Sequence, residues 1–554
     1  MVQHSAMPPE HFDVLVIGAG LSGIGAGCHL QMRCPDKSYA ILEARAVSGG
    51  TWDLFQYPGV RSDSDMYTLG YRFRPWLGQK AITDGASILR YIRDTATEYG
   101  IDRKIRYGHR LVRASWSTTD ARWTVDVEVT RATNAEPCVA TTGAASLLSN
   151  DAAGATPGAE SNETAHVTGN LRTSATESAL SNAVASAARP YTTFTCNMLY
   201  SCMGYYDYRG GFTPEFPGAE KFRGTIVHPQ QWPESLDYAN KRVVVIGSGA
   251  TAITLVPALA ESAQHVTMLQ RSPTYVMARS SRDGIAMRLR ALLPAKAAYA
   301  AARWKNVGLS IGGYWVSRRY PAFMKALILK HAKRALNGRD FTPGDADKFD
   351  ADTHFSPRYN PWDERMCLAP DADFFKSIRA GKSSVVTDSV ETFTATGVQL
   401  KSGKHLDADI IVTATGLQMR LLSGVQLEVD GRVIKPSAAM VYKGMMFSDV
   451  PNFISAFGYT NASWTLKVDL TADYTCRLLH YMDRHGFHQC TPRQNDPTIL
   501  AEPVLDFTSG YVKRALAELP SQGSRAPWKV HQNYARDLLT IRFGRVDDGV
   551  MEFR

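Results

Sequence analysis

Two glycine-rich turns carry the clearest chemistry in the chain. Gly18-Ala19-Gly20-Leu21-Ser22-Gly23 follows the apolar run 13–17 and opens a helical pattern. In such a turn Gly18 permits the sharp bend and Gly20 lets backbone approach a pyrophosphate. Gly23 lets helix and strand pack closely, while the helix N-terminus offers N–H groups and a positive dipole. Glu43 stands at the end of the next strand, about 20 residues on, where a carboxylate binds a ribose 2′-OH. A carboxylate repels a 2′-phosphate, so this unit suits FAD or NAD rather than NADP. The second turn is Gly247-Ser248-Gly249-Ala250-Thr251-Ala252, with Ile253 following. Its second strand ends in Gln270-Arg271-Ser272. Arg271 can pair with a 2′-phosphate, so the second unit suits NADPH.

The elements that must position these turns read as repeated β-α-β units. Strand 13–17 leads to a helix ending near Arg33 and a strand at 39–42. Strand 242–246 leads to a helix ending near Ala263 and a strand at 265–270. The expected fold is α/β, with two Rossmann-like dinucleotide-binding domains, for FAD and NADPH, and a helical insertion. The expected division is 10–215 for the first part of the FAD domain and 216–404 for the NADPH domain. Residues 405–554 complete the FAD domain and add a C-terminal segment. Within the first part, 131–189 is rich in Ala, Ser and Thr and poor in aromatics. Such a stretch buries too little apolar surface to offset its ordering entropy, and reads as a disordered insertion in a surface hairpin between strands at 123–129 and 192–199. A small Ala-rich helical hairpin is the alternative. Within the second part, 282–350 reads as a basic helical insertion.

Composition limits the remaining classes. At 554 residues the chain holds about three domain-sized units. Hydrophobic residues at 44% and charged residues at 21% exclude wholesale disorder. No apolar run reaches the roughly 18 residues of a membrane helix. Residues 1–13 lack a signal pattern, which points to a cytoplasmic protein. The 8 cysteines form no CxxC pair, so neither a disulfide frame nor a metal site is expected. Cys28 and Cys34, with five residues between them, do not have the spacing of a flavin-reductase redox pair. The net charge of +9 suits polyanionic cofactors, anionic lipid or nucleic acid, but no nucleic-acid-reading motif occurs. Across 282–339, basic residues alternate with Ile, Leu, Met, Trp and Tyr. The stretch reads either as a solvated helical face or as a patch for peripheral contact with a membrane.

One further block is highly specific. Phe222-Arg223-Gly224-Thr225-Ile226-Val227-His228-Pro229-Gln230-Gln231-Trp232-Pro233 matches FxGxxxHxxxWP in full, through Phe222, Gly224, His228, Trp232 and Pro233. On this block the chain resembles the Baeyer–Villiger monooxygenases, within the class B flavoprotein monooxygenases. The N- and S-oxidising flavin monooxygenases resemble it up to His228 but lack Trp-Pro. Gly49-Gly50-Thr51-Trp52-Asp53-Leu54, then 57–67 beginning Tyr57-Pro58-Gly59, and the tail 458–465 extend the match. Together they resemble the ethionamide-activating subgroup. The resemblance spans nearly the whole chain except 131–189.

The resemblance implies an FAD- and NADPH-dependent monooxygenase that inserts one oxygen of O2 beside a ketone carbonyl. The product is an ester or lactone, with sulfoxidation of thioethers as a side activity. N- or S-oxidation is the alternative. Anionic oxygen species form during such a reaction, so the site needs a fixed cation. The family places an arginine in the segment Asn360-Pro361-Trp362-Asp363-Glu364-Arg365-Met366-Cys367. Arg365 is assigned, with Arg358 as the neighbouring candidate. The match to Arg-x-Asp implicates Asp63 as the residue that aims Arg365, with Asp65 as substitute. It puts Arg61 and Ser62 near the nicotinamide. The family also implies that Thr51, Trp52, Asp53 and Leu54 line the flavin and that Ser22 reaches the pyrophosphate. Leu111 lies where a backbone group would bind adenine. His228 and Trp232 are implied to sit in a linker that shifts with NADPH and carries no proton.

Overall fold

The computed structural model describes residues 8–130, 191–337, 350–505 and 507–554. The expected insertion at 131–189 therefore lies outside the described residues. The strands that flank it, Arg122–Val129 and Tyr191–Ser201, pair antiparallel as the two arms of a hairpin.

The first sheet is built around Glu10–Ile17. That strand pairs in parallel with Tyr39–Leu42 on one side and with Tyr191–Ser201 on the other. Its apolar run is buried on both faces, as a central parallel strand requires. Val14 and Val16 face the helices Leu21–Arg33 and Trp464–His485. Leu15 and Ile17 alternate to the opposite face, against Trp116, Trp123 and Leu427. The sheet continues through Arg122–Val129 and His109–Ser117 to Gln426–Val429, and late in the chain Phe453–Ser455 joins Tyr191–Ser201.

The second sheet runs Ser383–Thr387, His265–Gln270, Arg242–Ile246, Ile410–Thr413, Thr225–Val227, all parallel. Val243 and Val245 pack against the helices Ala250–Leu259 and Asp373–Arg379, while Val244 and Ile246 face Phe222, Val398 and Leu400. The fold is thus α/β with two open sheets, each carrying a glycine turn after a central strand. One boundary differs from the sequence reading. Ile410–Thr413 belongs to the second sheet, so the chain returns to the first only after Ala414 and not at 405. A short buried run such as Ile-Ile-Val-Thr fits either sheet by pattern alone.

Of the expected insertion at 282–350, residues 338–349 lie outside the described residues, and 282–337 forms three helices, Gly284–Leu292, Ala295–Arg319 and Pro321–Asn337. Arg303 anchors the longest of them in the body of the protein. Its guanidinium donates to the carbonyls of Tyr67 at 2.9 Å and Gly70 at 2.7 Å, and to Asp469 at 3.3 Å. A buried arginine is tolerable only when carbonyls and a carboxylate pair it in this way; here both terminal nitrogens are paired and Nε is not. Among the described residues no helix is long and apolar enough to cross a membrane.

Candidate active site

A cavity of about 600 Å³ opens over the first glycine turn. Gly18 has φ +102°, a conformation that favours glycine. A Cβ on Gly23 would sit 1.8 Å from the Gly18 carbonyl oxygen, so strand and helix approach too closely for any side chain. Glu43 is buried beside the turn. Its Oε2 accepts the Ala19 N–H at 2.7 Å and its Oε1 accepts the Arg45 N–H at 2.9 Å. Burial raises the pKa of its carboxyl, and those two backbone N–H groups and the Arg45 charge oppose the rise. Gly20, Ser22, Thr51, Trp52 and Leu111 line the same cavity. Ser22 Oγ accepts from the Trp464 indole N–H at 2.9 Å. Asp53 and Leu54 do not line it. Asp53 pairs with Arg45 at 2.5 Å and Arg93 at 2.6 Å, and Leu54 packs into the core under the second sheet. The glycine-lined wall, the helix N-terminus and the acidic strand end fit an FAD pyrophosphate and ribose.

A second cavity of about 910 Å³ opens over the second turn, lined by Gly247, Ser248, Gly249, Ala250 and Thr251. A Cβ on Gly249 would meet nothing within 4 Å, so the turn faces open space there. Ala252 and Ile253 are buried beneath it. Arg271 lies exposed on the wall of this cavity. Gln270 does not line it. Its Nε2 donates to the His354 carbonyl and to Thr387 Oγ1, each at 2.8 Å, and so ties the strand end to its neighbours.

The two cavities meet at Arg365, which lines both together with Thr51, Trp52, Arg61 and Tyr206. The segment bearing Arg365 is a turn clamped by the helical insertion. Asp363 Oδ2 accepts the Asn360 N–H at 2.9 Å, Arg318 reaches Asp363 at 2.7 Å, and the Trp362 ring meets Tyr314 edge-on at 5.6 Å. Arg365 is open to the cavities but surrounded by protein. Burial works against its charge, yet Tyr205, Tyr511, Tyr206 and Asp63 hold its pKa above the ordinary arginine value. Asp63 lines the first cavity. Burial pushes its carboxyl up to about 6, with Arg61 and then Arg365 pulling it down. Arg61 is itself paired with Asp373 and donates to the Leu368 carbonyl at 3.4 Å. Ser62 lines the first cavity, and its Oγ accepts the Ser64 N–H at 2.9 Å.

The two alternates fall elsewhere. Arg358 is exposed and lines neither cavity. Asp65 caps the short helix Met66–Leu69 through Thr68 and accepts from Asn306 at 3.0 Å.

The fingerprint residues line neither cavity. Phe222 is buried behind the second sheet, and Gly224 lies against the Asp409 carbonyl, 2.2 Å from where a Cβ would sit. His228 bridges the segments that cross between the sheets. Its Nε2 donates to the Gly416 carbonyl at 3.1 Å and its Nδ1 accepts the Gln230 N–H at 3.1 Å. Burial lowers its pKa, consistent with a neutral ring that holds backbone. Trp232 packs edge-on against Tyr238 at 6.2 Å, and the Pro233 carbonyl accepts the Leu236 N–H at 3.2 Å.

Several residues at the junction escape sequence reasoning. Tyr205 and Tyr206 share a hydroxyl–hydroxyl hydrogen bond of 2.9 Å, and Tyr205 packs on Trp464 at 5.2 Å. Tyr511 approaches from the C-terminal segment. The only signal for them is the Tyr205-Tyr206 doublet directly after the first crossing. Among the described residues no cluster of His, Cys, Asp or Glu is placed to hold a metal ion.

Residues 187–299 match the flavin-binding monooxygenase-like family, and 16–75 match an NAD(P)-binding Rossmann-like domain. The chain is 48% identical over 545 residues to the FAD-containing monooxygenase EthA of Mycobacterium tuberculosis, covering 98% of each chain. It is 42% identical over 546 residues to the probable FAD-binding monooxygenase AlmA of Acinetobacter baylyi, covering 98% of this chain and 96% of that one. Among solved structures, an oxidised steroid monooxygenase bound to NADP superposes with TM-score 0.64 at 19% identity, covering 98% of this chain and 99% of the other. Cyclohexanone monooxygenase bound to ε-caprolactone superposes with TM-score 0.66 at 17% identity, covering 98% and 100%. At those identities the structural likeness bears on the fold.

Proposed function

We propose that this chain, which belongs to the FAD-containing monooxygenases, uses NADPH and O2 to insert one oxygen atom beside a ketone carbonyl, giving an ester or lactone. Bound FAD supplies the electron transfer from NADPH and the activation of O2. The observation that carries the reading is the placement of Arg365 where the two cavities meet. A permanent cation there stabilises negative charge developing on oxygen, and a guanidinium keeps its charge at any working pH. Asp63 gives that guanidinium a counter-charge that aims it. Glu43, Gly18, Gly20 and Gly23 hold the FAD pyrophosphate and ribose. Gly247 to Thr251 with Arg271 hold NADPH. The Trp232-Pro233 end of the fingerprint favours this chemistry over simple N- or S-oxidation, and the fold is shared with a cyclohexanone monooxygenase solved with ε-caprolactone, a lactone. Soft thioethers are oxidised as a side reaction.

Peripheral contact with an anionic membrane belongs to the same reading. Leu292, Trp304, Leu309, Trp315 and Phe323 on the helical insertion are each at least half exposed, beside exposed Lys296, Arg319 and Lys330. The same insertion clamps the Arg365 turn, so a docked face would set the site close to lipid-dissolved ketones. Co-sedimentation with anionic and with zwitterionic vesicles tests this. Binding to anionic vesicles alone is expected, and equal recovery in the supernatant with both would remove it.

The reaction itself is tested by turnover of a ketone panel with NADPH under ¹⁸O2. An ester carrying one labelled oxygen is expected. Sulfoxides or N-oxides alone, with ketones untouched, would favour the second reading.

A further inference from the structure

The helices Leu21–Arg33 and Trp464–His485 lie side by side in one register. His29 meets Asp469 at 3.4 Å, Arg33 meets Asp473, and Lys37 meets Asp483 at 2.6 Å. Between the last two pairs the ladder carries two thiols. Cys34, the C-cap of the first helix, and Cys476 of the second both fall in that span, near enough for each to act on the other's titration. His480 stands one turn beyond Cys476, on the same helix face. Its Nε2 lies 2.8 Å from the Arg33 carbonyl and 3.8 Å from Cys34 Sγ.

The two thiols differ in kind. The Cys476 contact stabilises the Cys34 thiolate, Arg33 and Lys37 add to it, and burial opposes it, so its pKa falls below the usual thiol value. That of Cys476 rises, because its hydrogen goes to Cys34 and it is buried. Of the two thiols Cys34 is the one flanked by cations, Arg33 and Lys37, and Cys476 faces it from the next helix, a placement that suits a peroxide-sensitive thiol and its resolving thiol. Cys34 is 2% exposed, but Arg33, Pro35 and His480 around it are exposed. Cys196, Cys202 and Cys367 are buried and pushed well above the usual thiol value by burial, which leaves them inert.

We propose that Cys34 and Cys476 form a peroxide-oxidisable dithiol that closes as a disulfide between the two helices. The Cys34 thiolate attacks one oxygen of hydrogen peroxide, and the O–O bond breaks. The departing hydroxide takes a proton and leaves as water, and Cys34 becomes a sulfenic acid. Cys476 sulfur then attacks Cys34 sulfur, loses its proton, and displaces a second water. Overall two thiols lose two electrons and two protons, and one peroxide becomes two waters. The oxidant is one that a flavin monooxygenase releases when oxygen activation is not captured by substrate. Only this source of peroxide rests on the proposed function. The bridge would pin the far end of a helix pair whose near end, Ser22 with Trp464, borders the first cavity.

The test uses the flavin-loaded protein, reduced, desalted and exposed to added hydrogen peroxide. Remaining thiols are blocked, and the protein is digested without reductant for mass analysis. A peptide joining Cys34 to Cys476, two hydrogens lighter than its parts, is expected and should vanish with dithiothreitol. Cys476→Ser should trap Cys34 as a sulfenic acid that dimedone labels, and Cys34→Ser should leave Cys476 unmodified. The oxidised wild type should melt at a higher temperature, reversibly. A second arm replaces added peroxide by NADPH and air without substrate, and catalase should abolish the cross-link there. Failure of the second arm alone would count against the proposed peroxide source and leave the pair intact. If added peroxide leaves both thiols free, or stops at dimedone-reactive Cys34 in the wild type, the pairing is wrong. Should Cys34→Ser fail to bind flavin, the wild-type cross-link map decides alone.

Discussion

The two glycine turns share a grammar and differ in how much of their site the protein completes by itself. In the first, Glu43 is buried and already accepts two backbone N–H groups, from Ala19 and Arg45. Ser22 is tied to Trp464 from the far end of the chain. The turn is thus braced from several directions. In the second, Gly249 faces open space and Arg271 stands exposed on the cavity wall. A braced cleft suits a cofactor that stays, and an open one suits a cofactor that exchanges at each turnover. The contrast lies in hydrogen bonding, since both turns follow strands of equal burial.

The comparison breaks most visibly at Glu43. Glu43→Ala leaves the Ala19 and Arg45 N–H groups without their acceptor, at a cost of about 1–3 kcal/mol each. Most of the bound flavin should be lost on purification, measured as the ratio of flavin to protein absorbance. Retention of full flavin would show that the brace is dispensable. At the open turn the effect is smaller and selective. Arg271→Ala should raise the KM for NADPH about tenfold, the low end for a charge-assisted contact, and leave that for NADH nearly unchanged. Equal effects on both coenzymes would remove the 2′-phosphate from Arg271.

Asp63 gives a pH-dependent test at the junction. Its folded pKa of about 6 lies above the ordinary aspartate value. The fold therefore favours the protonated form, and the charged form costs stability once pH rises above the unfolded value. The counter-charge to Arg365 is present above about pH 6 and lost below it. Ester formed per NADPH consumed should fall as pH drops through that value, with peroxide rising. Asp63→Asn should flatten the profile at the low level with no loss of melting temperature. A profile unchanged by the substitution would mean that Asp63 does not aim Arg365.

The parts of this site that could be read from the chain are those set by local spacing. Glycines after a strand, an acid or a base at the end of the next strand, and the 222–233 block each lie within a few dozen residues. Arg365 came through family resemblance, because a lone arginine in a loop has no local signature. What stayed hidden depends on distant segments. Asp53 looks like a flavin neighbour by its block, yet Arg93 from another helix claims it. Gln270 sits at the right strand end, but His354 and Thr387 hold it inward. The tyrosines around Arg365 come from 205, 206 and 511, segments far apart in the chain that meet only in the folded protein.

On the proposed reading, reduction of the flavin by NADPH uses both cavities but no cation over the reacting oxygen, whereas oxygen insertion depends on Arg365. The direct measurement is rapid-mixing kinetics of Arg365→Ala beside the wild type, with product analysis. Anaerobic flavin reduction should stay within about threefold, while ester formation should drop by at least about 10²–10³, the usual loss for one preorganised electrostatic contact. The consumed oxygen should then appear as hydrogen peroxide. Ester formation near the wild-type rate in Arg365→Ala would contradict the placement of the chemistry where the two cavities meet.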